Sequence, residues 1–325
     1  MPHSKPSSSK TVSIAIALVG LALGIAAVVG FGRNKVFQAS VAIGWHGLII
    51  VLLWQLAVFV LLGAAWWLLC PAVSLPNVIW GRLVREAGDR CLPFSEIGGL
   101  VLGARALVLG GSGFAPAVAA SVVDVVAETV ALVPFLGFGL AVLAHKADAS
   151  VLAPMAIGLG VIVAGAFLVF ALRHQLARLL RSGVTRLLSH WTRKAPECAN
   201  DLERAIGELF HRRRRVASAS ALHVVCWFGG GGNIWVAYHL LGARIDLVDA
   251  MAIEGMLSTA LGVGLLVPAA LGVQEISYMA LGAAFGVPPH LSLSLSLIRR
   301  ARDLMIGVPA LAVWELAEVR RLRRS

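Results

Sequence analysis

This chain is short of charge. Asp, Glu, Lys and Arg together make up 14% of its 325 residues, against 58% hydrophobic residues, a balance that soluble domains of this length do not show. That scarcity excludes a water-soluble enzyme or binding module and points to an integral membrane protein. Paired cysteines are lacking as well. Cys70, Cys91, Cys198 and Cys226 form no C-x-x-C pair and stand at no metal-ligand spacing from histidine, so they read as reduced, structural thiols. No nucleotide-binding glycine loop is present, which argues against direct drive by ATP. What charge there is runs one way, with 28 Lys and Arg against 17 Asp and Glu, a net of +11. Nucleic acid would be one partner for such a chain, but the basic residues flank apolar runs, where lipid headgroups and orientation explain them better.

A hydrocarbon core of about 30 Å needs roughly twenty helical residues at about 1.5 Å each. Runs of that kind lie at 12–31, 45–70, 116–143, 151–172, 216–241 and 290–316, which predicts six full spans. The first follows Lys5 and Lys10 but is longer than the ~7–15 apolar residues of a signal peptide, so it reads as a retained span. Two further apolar stretches, 77–110 and 249–287, are each interrupted by proline and glycine. The fold class expected is an all-α membrane bundle: an N-terminal half over 1–172, a basic linker over 173–215 and a C-terminal half over 216–325.

The linker carries eleven basic residues against four acids, a net of +7, and should be cytoplasmic. The tail, with Arg320, Arg321, Arg323 and Arg324, belongs on the same side, and counting spans back puts the N-terminus there too. In 77–110, Arg82, Arg85, Arg90 and Arg105 outnumber three acids; from 242 to 287, Arg244 faces Asp246, Asp249, Glu254 and Glu275. The first interrupted segment is therefore expected to enter from the cytoplasm and the second from outside. Their breaks are alike: "CLPFSEIGGLVLGARAL" at 91–107 and "LVPAALGVQEISYMAL" at 266–281 each place proline, a short turn and glycine before an apolar helix. This predicts an inverted-topology repeat. Broken backbone at membrane depth survives only when buried in protein or facing a hydrated cavity, and each half-helix after a break aims free N–H groups at a polar or anionic headgroup. The plainer alternative is a pair of surface loops between interfacial helices.

Asp124 and Glu128 stand four apart on one helix face within a span, as do Arg299 and Asp303 with Arg302 beside them. Charges at that depth must be paired or hydrated. The expected pairing is Asp124 and Glu128 with Arg299 and Arg302 across the repeat; a purely structural bundle of ion pairs is the alternative. Glu275 at the start of a half-helix has three roles open to it: capping the helix, binding a headgroup amine or polyol, or carrying a proton. In 200–215, Leu202, Ala205, Ile206, Leu209 and Phe210 form one apolar stripe ahead of Arg212–Arg215, predicting an amphipathic helix on the anionic cytoplasmic leaflet. Leu176, Leu179, Leu180, Leu187, Leu188 and Trp191 suggest a second. "GGGG" at 229–232 reads as a packing seam. Trp45, Trp66, Trp67 and Trp314 fit interfacial belts, and His46, His223 and His239 fit packing or interfacial roles.

With these breaks, spans and basic linker, the chain resembles the flippase-like transmembrane domain of lysylphosphatidylglycerol synthases over roughly 40–316. Within that superfamily, "LVREAGDRCLPFSEIGG" at 83–99 is most similar to hopanoid-biosynthesis-associated membrane proteins of the HpnL type. The resemblance implies a multi-pass bacterial inner-membrane protein that moves a hopanoid or related lipid, without a cofactor or metal, and with biosynthetic enzymes as conceivable partners. Its motif positions fall on Pro93, Gly98 and Gly99 in the first break and on Pro268, Gly272 and Glu275 in the second. Many relatives carry Glu after the first Gly-Gly, where this chain has Leu100; Glu96 is the candidate substitute. Arg105, Asp124, Glu128, Arg299, Arg302 and Asp303 complete the expected polar lining. The soluble aminoacyl-transferring domain of the synthases is not seen, so lysyl transfer is not expected. An intramembrane lipid-modifying enzyme with Asp124 and Glu128 as acid and base, and a scaffold recruiting enzymes through 173–215, are the rival readings.

Overall fold

A computed structural model of the protein describes residues 41, 43–91, 95–146, 149–171, 175, 195–263 and 272–322. The expected span at 12–31, the second amphipathic helix at 176–191, Pro93 and Pro268 lie outside these residues, as does the side chain of Glu96. Ten helices and no strand are found among the described residues: α1 Gly44–Leu69, α2 Leu75–Cys91, α3 Ser95–Leu109, α4 Phe114–Ala144, α5 Ala149–Ala171, α6 Ala195–His211, α7 Arg213–Leu240, α8 Leu247–Val263, α9 Val273–Ala284 and α10 Pro289–Leu322.

Proline and glycine set most of these boundaries. Helix α1 stops at Cys70, whose N–H returns to Trp66 O and Trp67 O, and Pro71 cannot continue it. Pro76, Pro116 and Pro289 sit in the first turns of α2, α4 and α10, where a missing N–H removes no intrahelical bond. Each interrupted segment is two helices, α2 and α3 around 92–94, and α8 and α9 around 264–271. Gly88 and Gly99 bring α2 and α3 so close that a Cβ on Gly88 would come within 2.8 Å of the Gly99 Cα, the close approach that small residues permit between membrane helices.

Helix α1 shows the environment. Val51, Gln55, Val58, Phe59, Leu62, Ala65, Trp66 and Leu69 form one buried stripe, while Trp45, Ile49, Ile50, Leu53, Val60 and Leu61 on the other faces remain exposed. A helix apolar all round with an uncovered side is matched to lipid, not to water. Helices α1 and α4 are long and apolar enough to cross a membrane. Helices α5, α7 and α10 occupy the other expected spans, but α7 and α10 hold arginines and polar residues that dilute their hydropathy.

The halves correspond in their packing. With α1, α2, α3 and α4 matched to α7, α8, α9 and α10, α2 packs on α1, α3 and α10, and its counterpart α8 packs on α7, α9 and α4. Helix α3 rests on α4 as α9 rests on α10, and α1 packs directly on α7. Helix α1 runs antiparallel to its counterpart α7: Gly47 of α1 faces Leu240 near the end of α7, while Trp66 and Leu69 cluster with Ala219 near its start. The four glycines at 229–232 serve as a seam, with Gly231 against Met251 and Gly232 against Trp54.

Two expectations change. The apolar stripe of α6 does not face the leaflet; Leu202 and Ile206 are buried against Ala115, Val118, Ala119 and Val122 of α4, leaving Arg212–Arg215 exposed beyond it. Trp66 is not an interfacial residue but fully buried beside Gly81 and Gly103, whereas Trp45 is 74% exposed.

Candidate functional site

The polar interior begins on α2, where Arg82, Arg85 and Glu86 are buried together. Arg82 gives each guanidinium nitrogen a separate acceptor: Nε to Glu86 Oε1 at 2.8 Å, one terminal nitrogen to Asp124 Oδ2 at 2.9 Å and the other to Glu128 Oε1 at 3.0 Å. Arg85 donates to the same two carboxylates, 2.7 Å from Asp124 and 3.3 Å from Glu128. His223 of α7, fully enclosed, lies 3.0 Å through Nε2 from the second oxygen of Asp124. From Glu86 the network runs to Arg90, then Asp303 at 3.1 Å, then Arg302 at 2.8 Å, and from Arg302 to Asn233 at 3.1 Å.

A second cluster joins α8, α9 and α10. Glu254 accepts from Arg299 at 2.7 Å and from the Tyr278 hydroxyl at 3.1 Å. Glu275 accepts the N–H of Gly272 at 2.9 Å and pairs with Arg300 at 2.6 Å. Gly272 has φ of 80°, a left-handed conformation that glycine adopts without steric cost. Gln274 holds Ser296 at 2.8 Å.

The two clusters occupy matching places. Arg82 lies seven positions after Leu75, and Glu254 seven after Leu247; Asp124 lies ten after Phe114, and Arg299 ten after Pro289. Each half thus ties the first helix of its interrupted segment to its last helix by an ion pair at the same level, with the signs reversed.

The expected pairing of Asp124 and Glu128 with Arg299 and Arg302 is not made; α2, which packs nearer, supplies their arginines. Arg105 is not in this interior but bonds Glu318 at 2.5 Å on a half-exposed surface. Gly98 and Gly99 lie in the first turn and a half of α3. Arg82, Arg85, Arg90 and Glu254, read from sequence as orientation charges, and His223, read as a packing or interfacial residue, are core members. Their spacing was the available signal, since Arg82, Arg85, Glu86 and Arg90 repeat on one helical face. Buried arginines also say nothing about sidedness, which then rests on the linker and tail. Asp124, Glu128 and His223 present ligand atoms within 4.8 Å of one another, but Arg82 and Arg85 already supply the positive charge a metal ion would bring.

Lipid-facing helices around a buried ionic core define a helical membrane protein. The chain belongs to the lysylphosphatidylglycerol synthase TM region family, which matches residues 11–310. Neither the curated proteins nor the solved structures gave a match.

Proposed function

We propose that the protein translocates a lipid between leaflets through a polar path between its two interrupted segments, and that its substrate is a hopanoid or a related lipid of the bacterial inner membrane. The observation that carries this reading is the buried network joining α2, α4, α7 and α10, since ionised groups at membrane depth are costly and concentrate along substrate pathways. The corresponding packing of the halves, with α1 antiparallel to α7, supports an inverted-topology repeat, an architecture suited to a site opened alternately to either side. Family membership supports a lipid as the molecule handled. Glu275, engaged with the Gly272 N–H and Arg300, fits a helix-capping role beside that path.

The enzymatic alternative is disfavoured by the same geometry. Asp124 and Glu128 both accept from two arginines, which leaves neither poised as a general acid. Purified protein in vesicles should accelerate leaflet exchange of a labelled lipid over protein-free vesicles, and Glu254→Gln should slow it. Chemical turnover of the lipid without exchange would favour the enzyme instead. Lipid extracts of a deletion strain and its parent would identify the substrate.

A further inference from the structure

The buried charges can be matched one to one. Arg82 takes Glu128, Arg85 takes Asp124, Arg90 takes Glu86, Arg299 takes Glu254, Arg300 takes Glu275 and Arg302 takes Asp303, each pair at 3.1 Å or closer. Among the described residues, one carboxylate of this network is left over. Asp89, two residues before the end of α2, reaches Arg85 alone among the described residues, at 4.0 Å, too far for a hydrogen bond. Its Oδ1 is buried and has no hydrogen-bond partner, while its side chain keeps 24% of its surface open. The pocket it occupies is made by glycine, since a Cβ at Gly99 would overlap the carboxylate.

From these observations we infer that Asp89 is a proton-carrying site at the tip of the first interrupted segment, loading a proton from water on one side and releasing it to the other as lipid moves. A mostly buried carboxylate oxygen without a hydrogen-bond donor is expensive in its charged form and is relieved by binding a proton. The step needs only that proton: a carboxylate oxygen binds H⁺ from the aqueous phase and later returns it, with no other bond made or broken. The charged groups acting on it are Glu86, Arg85, Arg82 and Arg90 of its own helix; through those arginines it connects to Asp124 and Glu128 of α4 and Asp303 of α10, and beyond them to His223 of α7 and Arg302. Helix α1 places only His46 near its far end, and Arg105 of α3 is bonded to Glu318 instead. Among the described residues of this network, a protonated Asp89 leaves six arginines facing six carboxylates, and a deprotonated one adds a seventh negative charge, so proton binding and the arrangement of the arginines are coupled.

Coupling to lipid movement rests on the translocation reading, whereas proton binding does not, and the test separates them. Infrared spectra of the full-length protein in phosphatidylglycerol and phosphatidylethanolamine vesicles, recorded between about pH 5 and pH 9, should show the C=O stretch of a protonated carboxylic acid. Asp89→Asn should remove it, and Asp89→Glu should keep it at a shifted frequency. In the same vesicles, an imposed pH gradient should speed labelled-lipid exchange by the wild type several-fold, and Asp89→Asn should reduce that ratio to unity. A spectrum with no carboxylic acid band, or one that both variants leave unchanged, would overturn the inference. A band that behaves as expected with no lipid exchange at any gradient would uphold the proton site and overturn translocation.

Discussion

Arg82 is 1% exposed, yet each of its three guanidinium nitrogens meets its own carboxylate. A forked, permanently charged group can satisfy three acids at once, which a lysine ammonium at the end of a flexible stem cannot do with the same geometry. Arg82→Met should therefore destabilise the protein by about 3–5 kcal/mol, the range for removing one partner of a buried pair, with Arg82→Lys in between; denaturant unfolding in detergent measures both. The sign-reversed pair of the second half gives a cleaner test. Glu254→Arg and Arg299→Glu should each be strongly destabilising alone, and the double variant should recover a substantial part, since coupled neighbours depart from additivity. Independent losses that simply add would remove the pair from the account.

At the scale of the element, α6 decides between lipid and protein as the surface its apolar stripe covers. Its contacts are with α4, so Leu202→Asp or Ile206→Asp should lower the melting temperature of the whole protein; a helix resting only on lipid would lose vesicle affinity and leave the melting temperature unchanged. The helix itself was legible in the sequence, because a 3.6-residue stripe ahead of Arg212–Arg215 marks an amphipathic helix. Its partner was not, since the stripe reads the same toward a leaflet or toward α4. Helices α1 and α4 fall within two residues of the expected 45–70 and 116–143, as proline, glycine and sustained hydropathy punctuate them. Both interrupted segments are likewise visible as proline and glycine breaks. The partners of Asp124 and Glu128 were hidden, because they depend on how α2 is rotated against α4 across 42 residues of chain, and no local spacing encodes that.

For the whole molecule, the packing correspondence of α1–α4 with α7–α10 carries the expectation that the halves have opposite orientation. Reporters fused after residues 190 and 245 should then read opposite sides of the membrane, and the same side for both would remove the inverted arrangement. Lipid passage requires water between the halves, since charged side chains at membrane depth need either protein or water around them. The most direct measurement places single cysteines at 96 and 273 in a cysteine-free background and exposes the membrane-embedded protein to a water-soluble thiol reagent. Labelling at both positions is predicted; both remaining unlabelled while a cysteine at 214 reacts would mean a dry interior and contradict the account.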